Sequence, residues 1–138
     1  MIIFNRRSTE RGWKNQIFMI RPEGTVGDEQ LISHPSNQYY EWAFSALEDD
    51  RIFIDRKGSD FAKSFLLTPN PGKLGKYEEI KRPTEKLWHK LSVSPSETKV
   101  AYMLDIDRKL YTYRDVVIAI ADFDIANLKV ENQLIITD

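Results

Sequence analysis

A repeated strand–turn–strand unit constrains the fold of this sequence more than any other feature. The stretch WAFSALEDDRIFIDRK at 42–57 returns as KLSVSPSETKVAYMLD at 90–105, and each copy is an apolar run, a Ser-led turn and a second apolar run. The opening residues IIFNRRS at 2–8 match the second half of that unit, IFIDRKG at 52–58. The copies begin 50 and then 48 residues apart, so the sequence predicts one module used three times.

Each period holds about four short apolar segments, and none of them keeps the helical spacing of apolar residues at i, i+3, i+4 and i+7. Four strands in every 40–50 residues is the pattern of β-propeller blades. We therefore predict an all-β chain, a partial β-propeller of about three four-stranded antiparallel blades. The first blade is incomplete, because no strand precedes Ile2. The units span 1–37, 38–86 and 87–138 within one domain.

Composition and charge limit the partners of the chain. Lys and Arg number 20, Asp and Glu number 21, and the net charge is -1. A general nucleic-acid or anionic-membrane binder needs a basic excess, so we predict neither partner. There is no Cys, which excludes disulfides and cysteine metal sites. The N-terminus lacks the order of a signal peptide, no apolar run approaches the ~20 residues of a membrane helix, and the compartment is left open.

The second turn and the segment before the first copy are similar to a known repeat. VSPSETKVAY at 93–102 resembles the F-S-P-D-G-K-x-I-A-F consensus of the WD40-like PD40 repeats in TolB-type β-propellers, and LISHPSNQYYEWAFS at 31–45 resembles their link between blades. Because propellers have 4–8 blades, the resemblance implies a segment of a longer propeller or a subunit that self-associates. Both turns lack the consensus Gly that eases a positive φ, so we expect the turn type to differ.

Fold alone does not determine activity. We predict a non-catalytic binding or scaffold module that presents loops to a protein or glycan partner. The alternative is a segment of a propeller enzyme, either oligogalacturonate-lyase-like, a family with several His around a metal, or the propeller of a serine peptidase. The chain has no G-x-S-x-G elbow and no P-loop or dinucleotide fingerprint. Whether it belongs to an enzyme is left open, and no cofactor is predicted.

Basic pairs occupy the same predicted loop of each unit, where they would line one rim of the blades. Trp13 lies in another polar loop and is a candidate exposed contact residue. The predicted binding residues are Arg6, Arg7, Trp13, Arg56, Lys57, Arg108 and Lys109. A one-sided basic rim favours an acidic partner. Solvated loops of mixed sign are the alternative, because acidic residues lie alongside.

The candidate metal ligands are His89 on a predicted inner strand and the pair Asp105 and Asp107 in a charged loop. Oxygen-rich loops can hold Ca²⁺. A metal centre needs three or four convergent ligands, whereas Asp is also a common turn-forming residue and the second histidine, His34, lies in a link between blades. We therefore predict no metal site.

Aromatic residues cluster on the predicted inner and second strands. They are Tyr39, Tyr40, Trp42, Phe44, Trp88 and Tyr102. Aromatic side chains bury large apolar areas and prefer stacked or edge-to-face pairs, so we assign these residues to packing between blades.

Overall fold

The structure is a computed structural model, and it describes residues 1–7, 15–25, 27–33, 39–58, 62–70, 73–84, 88–105 and 116–136. Every regular element in those ranges is a β-strand. In chain order the strands are β1 (Ile2–Arg7), β2 (Asn15–Ile20), β3 (Gln30–Leu31), β4 (Tyr40–Ala46), β5 (Ile52–Lys57), β6 (Ala62–Asn70), β7 (Lys73–Ile80), β8 (Trp88–Val93), β9 (Lys99–Asp105), β10 (Val116–Asp124) and β11 (Lys129–Ile135). Within the same ranges there is no helix of the length and apolarity that crossing a membrane requires.

The strands form three antiparallel sheets in which neighbours in sequence are neighbours in space. Sheet A is β1-β2-β3, sheet B is β4-β5-β6-β7 and sheet C is β8-β9-β10-β11. Antiparallel neighbours can be joined by tight turns, which suits the short connections of this sequence. The prediction of an all-β chain with three antiparallel sheets, the first of them one strand short, is confirmed. In the described part, none of the three sheets closes on itself.

The alternation of residues along each strand decides which face is buried. Along β10, Val117 and Ala119 are buried, whereas Ile118 and Ile120 beside them are exposed. In β5, by contrast, the four consecutive residues 52–55 are all buried, as expected for a strand covered on both faces. Sheet B is therefore the central layer, and sheets A and C lie on either side of it.

Two hydrophobic layers hold the sheets together, because an apolar sheet face has to be covered by another layer. The layer between sheets A and B consists of Ile17, Met19, Ile32, Ile52, Ile54, Phe65 and Leu67. The larger layer between sheets B and C consists of Leu47, Phe53, Leu66, Ile80, Trp88, Leu91, Val100, Tyr102, Leu104, Val117, Ala119, Ala121, Phe123 and Val130. Two of the aromatics assigned to packing, Trp88 and Tyr102, stack in this layer with ring centroids 4.4 Å apart.

The last strand of each sheet is followed by a residue that forms a backbone hydrogen bond with the last strand of the next sheet. Gly75 of β7 donates its N–H to the carbonyl of Ile32, the residue that follows β3, at 3.0 Å. In the same way Val130 of β11 donates to the carbonyl of Lys81, which follows β7, at 2.8 Å. The relation between sheets A and B is thus repeated between sheets B and C.

The hairpin turns keep a left-handed residue although they have no glycine. Asp50 has φ 66° and Glu97 has φ 56°. Their N–H groups close the two turns by donating to the carbonyls of Leu47, at 3.0 Å, and Ser94, at 2.9 Å. The left-handed region is disfavoured for most L side chains, and Asp is among the residues that tolerate it best. Both turns therefore have a residue with positive φ although neither contains a glycine.

The sequence TPNPG at 68–72 has the Pro and Gly content typical of a connection between strands, but strand β6 continues into it. Strand β6 runs through Pro69 to Asn70, and the register with β7 shifts between Thr68 and Asn70. Proline cannot donate a ladder hydrogen bond, and a bulge is one of the few places in a sheet that accepts it. Because the hairpin continues past this bulge, β7 begins at Lys73, which pairs with Asn70.

Candidate functional site

The two described basic pairs lie at the ends of equivalent strands. Arg6 and Arg7 end β1, where Arg7 is opposite Asn15 of β2. Arg56 and Lys57 end β5. The prediction that these pairs lie in loops is wrong, since both strands continue to the last basic residue. A strand position fixes the face on which each side chain lies, because successive residues alternate.

Arg56 is held in a buried ion pair surrounded by aromatic rings. Its Nε and Nη2 lie 2.8 and 2.7 Å from Oε1 of Glu41, which is directly opposite on β4 and only 1% exposed. Tyr77 donates its hydroxyl to Oε2 of Glu41 at 2.8 Å. The guanidinium also lies 4.2 to 4.8 Å from the ring centroids of Tyr39, Phe65 and Tyr77. The charge of Arg56 is thus neutralised within the chain, on the face of sheet B that meets sheet A.

Arg6 has the equivalent place on sheet A, in a more open setting. Its guanidinium lies 4.1 Å from the ring centroid of Phe18, and its Nη1 lies 3.9 Å from Oε1 of Glu29. The Arg6 side chain is 52% exposed, against 18% for Arg56. Among the described residues, no strand pairs with the outer edge of β1, so the position of Glu41 has no counterpart there.

The remaining predicted binding residues are placed incompletely. Arg7 is described as the end of β1, without its side chain, and Lys57 is half-buried at the end of β5. Trp13, Arg108 and Lys109 lie outside the described residues. In the described part of the predicted rim, Arg56 is paired with a buried carboxylate, whereas Arg6 is half exposed and its contact with the carboxylate of Glu29 is long.

The metal candidates do not converge in the described part of the chain. His89 lies in β8 without a described side chain, Asp105 is buried at the end of β9, and Asp107 and His34 lie outside the described ranges. No group of three or more His, Asp or Glu side chains within those ranges is placed to hold a metal ion.

A buried acid that the sequence patterns did not single out lies on the face of sheet B that meets sheet C. The carboxylate of Asp55 accepts the hydroxyl of Ser64 at 3.0 Å, and Asp55 is 4% exposed. Burial raises the pKa of Asp55 to about 6, although Arg82 and the Ser64 hydrogen bond act in the opposite direction. The guanidinium of Arg82 lies 4.3 Å from the ring centroid of Trp88. Asp55 therefore takes up its proton nearer to neutral pH than an ordinary carboxyl does.

The hairpin turns of sheets B and C lie side by side. The N–H of Glu48 donates to Oε1 of Glu97 at 2.5 Å, and the N–H of Val93 donates to Oγ of Ser45 at 3.2 Å. An open depression of about 370 Å³ lies between the turns and is lined by Ala46, Leu47, Glu48, Val93, Ser94, Pro95 and Glu97. Turn residues and two strand ends of mixed chemistry line this depression, so it defines no ligand class.

The outer face of sheet C carries large exposed apolar side chains. Ile118 and Ile120 of β10 are 43% and 37% exposed, and Leu134, opposite Ile120 on β11, is 59% exposed. Met103 of β9 is opposite Ile118 and shares this face. Exposed apolar patches on soluble proteins mark interaction surfaces when they are contiguous, so we take this face as the main candidate site and call it the outer face of sheet C.

The described residues form an all-β structure of three stacked antiparallel sheets, with exposed apolar side chains on the outer face of sheet C. No protein-family model, curated protein or solved structure matched the chain. The resemblance to PD40 repeats of TolB-type propellers stays a prediction from the sequence.

Proposed function

We propose that this chain is a non-catalytic scaffold module that assembles with a second copy of itself, sheet C of one copy packing on sheet A of the other as neighbouring propeller blades pack. The single observation that carries the proposal is the exposure of Ile118 and Ile120 on the outer face of sheet C. These side chains lie on the face opposite to the one that packs on sheet B.

The repeat supports this proposal. Residues of sheet A that occupy the same positions as the exposed residues of sheet C are buried under sheet B. The carbonyl of Ile17 accepts the N–H of Ile32 at 3.0 Å, and the carbonyl of Ile118 accepts the N–H of Ile136 at 2.9 Å. These are equivalent places on sheets A and C. Ile17 and Ile32 are 0% exposed beneath sheet B, whereas Ile118 and Ile136 are 43% and 52% exposed. A further sheet on sheet C would cover them in the same way.

Sheet A, at the other end of the stack, also has an exposed apolar residue on its outer face. Ile52 of β5 is 1% exposed because sheet A covers it, whereas Ile2, its counterpart on β1, is 51% exposed. A head-to-tail contact between unlike faces forms a ring or a filament, depending on the rotation between copies. Two copies supply six sheets, which is within the 4–8 blades of closed propellers. We therefore propose a closed pair as the assembly.

Light scattering coupled to size exclusion tests the proposal. The unchanged chain is expected to elute with twice the 16.2 kDa mass of one copy at micromolar concentration. The double variant Ile118→Lys, Ile120→Lys is expected to elute at 16.2 kDa with an unchanged strand signal in circular dichroism, because two buried ammonium groups are costly. Leu74→Lys, which changes an exposed apolar residue away from this face, is the matched control. A 16.2 kDa particle for the unchanged chain at every concentration would overturn the proposal.

A further inference from the structure

Among the described residues, the outer edge of β1 in sheet A has no neighbouring strand, whereas the corresponding edges in sheets B and C are paired. In sheet B the strand β5 is paired along that side by β4, and in sheet C the strand β9 is paired by β8. Strand β1 corresponds to β5 in sequence, but β1 is the edge of sheet A. Within the described ranges, the edge that β4 occupies in sheet B therefore has no pairing strand in sheet A.

The side chains of β1 are arranged as those of β5 are. Arg6 lies 4.1 Å from the ring centroid of Phe18 on the neighbouring strand, and Arg56 lies 4.7 Å from that of Phe65 on its own neighbour. In both strands, therefore, an arginine guanidinium lies over the ring of a phenylalanine on the neighbouring strand. The two strands differ at their other edge, where β5 is paired with β4 and β1 has no partner among the described residues.

In sheet B that other strand supplies the counter-charge. Glu41 of β4 is directly opposite Arg56 and binds it through Nε and Nη2. Arg6 has instead a longer contact, 3.9 Å, with Glu29, and half of its side chain is exposed. A strand added to β1 in the register of β4 would place one residue directly opposite Arg6, and a carboxylate there would form the charge-assisted pair that Arg56 has.

The edge itself is suited to pairing. Strand β1 has six residues and no proline, and its charged residues are confined to Arg6 and Arg7 at its end, whereas natural sheet edges that resist pairing are often very short or carry proline or charges along them. An extended peptide that adds to such an edge gains main-chain hydrogen bonds, and its alternate side chains give specificity.

We infer that the outer edge of β1 binds an extended segment of a partner protein, antiparallel to β1, with a carboxylate opposite Arg6. The proposed assembly covers the outer face of sheet A at Ile2, whereas this inference concerns the hydrogen-bonding edge of the same strand, and β5 shows that a covered face and a paired edge can coexist. The inference can therefore fail while the proposed assembly holds, and the reverse is equally possible.

A synthetic peptide tests the inference, and residues 39–46 of this chain, YYEWAFSA, supply its sequence. Isothermal titration measures its affinity for the full chain, and amide hydrogen exchange locates it. We expect saturable binding and slower exchange in β1. The same peptide with Gln in place of Glu is expected to bind about tenfold more weakly, because it cannot form the charge-assisted pair.

The protein variant Arg6→Gln should weaken binding of the unchanged peptide to the same extent. Arg21→Gln is the matched control, since Arg21 is an exposed arginine that follows β2, at the opposite end of sheet A from Arg6. Failure of the peptide to bind, equal binding of the Glu and Gln peptides, or protection confined to sheet B would each overturn the inference. The peptide pair keeps the test decisive even if Arg6→Gln fails to fold.

Discussion

At the scale of residues, charge is buried on both faces of the central sheet. Asp55 and Arg56 are neighbours on β5, so their side chains point to opposite faces. Arg56 meets Glu41 in the layer beside sheet A, and Asp55 meets Ser64 in the layer beside sheet C. Each of these two charged groups needs its hydrogen-bonding partner, because burying it without that partner would lower the stability of the fold.

Removing the charge of Glu41 tests the first of these groups, Arg56. Glu41→Gln is expected to lower the free energy of unfolding by about 2–4 kcal/mol, because Arg56 would stay largely buried without its counter-charge. The matched control is Glu79→Gln, whose pair with Lys63 is 3.4 Å long and about half exposed on both sides. Exposed pairs contribute about 0–1 kcal/mol. Urea unfolding measures both, and equal losses would contradict the difference that we derive from burial.

The pH dependence of Asp55 tests the second group. Its folded pKa is about 6, above the value of about 3.9 for an unfolded Asp, so the folded chain binds the extra proton between those values. Stability from this group is therefore present at low pH and lost as the pH rises through 6.

Asp55→Asn keeps a hydrogen-bonding group for Ser64 and removes the titration. The variant is expected to gain stability over the unchanged chain by about 1–3 kcal/mol more at pH 7.5 than at pH 4.5. Thermal unfolding of both proteins at the two pH values measures this double difference. A difference that is the same at both pH values would show that Asp55 does not titrate between them.

At the scale of elements, sequence patterns locate strands better than they set the pairing between strands. The repeat at 42–57 and 90–105 predicts the hairpins, and both exist as β4–β5 and β8–β9. The Glu41–Arg56 pair was not predictable, because the register of β4 and β5 shifts by one residue between Ala43 and Ser45. Continuing the register of the turn, without that bulge, would set Lys57 opposite Glu41. A bulge depends on packing against another sheet as well as on local sequence.

The smaller number of strands in the first sheet could be predicted from the sequence. The carboxylate that pairs with Arg56, the counterpart of Arg6, could not. The repeat predicted an incomplete first blade, and in the described residues sheet A has three strands where sheets B and C have four. The loop assignment of the basic pairs failed because charged residues resemble loop residues in composition, although strand ends also accept them. Residues such as Asp55 look equally loop-like in sequence, and only the covering sheet makes them buried.

The link between sheets A and B is testable at Gly75. A Cβ there would lie 2.8 Å from the carbonyl oxygen of Thr68 and 3.1 Å from that of Ile32, both backbone atoms that cannot easily move. Gly75→Ala is expected to lower the free energy of unfolding by about 1–3 kcal/mol through this crowding. The adjacent variant Leu74→Ala changes an exposed side chain and should cost less than about 0.5 kcal/mol. A tolerated Gly75→Ala in urea unfolding would contradict the close approach of the two sheets.

At the scale of the whole molecule, sheets A and B pack in the same way as sheets B and C. Among the described residues, no sheet covers the outer face of sheet A or of sheet C. Sheet B covers sheet A, sheet C covers sheet B, and the same backbone tie joins each outermost strand to the preceding link. Ile2 at one end and Ile118 at the other are 51% and 43% exposed, although their counterparts inside the stack, Ile52 and Ile17, are covered. The chain therefore has the faces that a continuing stack requires, and the proposed second copy completes it.

The absence of Cys from the sequence permits a direct test of this contact. Two variants, Ile2→Cys and Ile120→Cys, are prepared separately, given different affinity tags, mixed and oxidised mildly before electrophoresis without reductant. The account predicts a disulfide-linked species of twice 16.2 kDa that carries both tags and forms much faster in the mixture than in either variant alone. Equal cross-linking in the mixture and in the single variants, or none in the mixture, would contradict it.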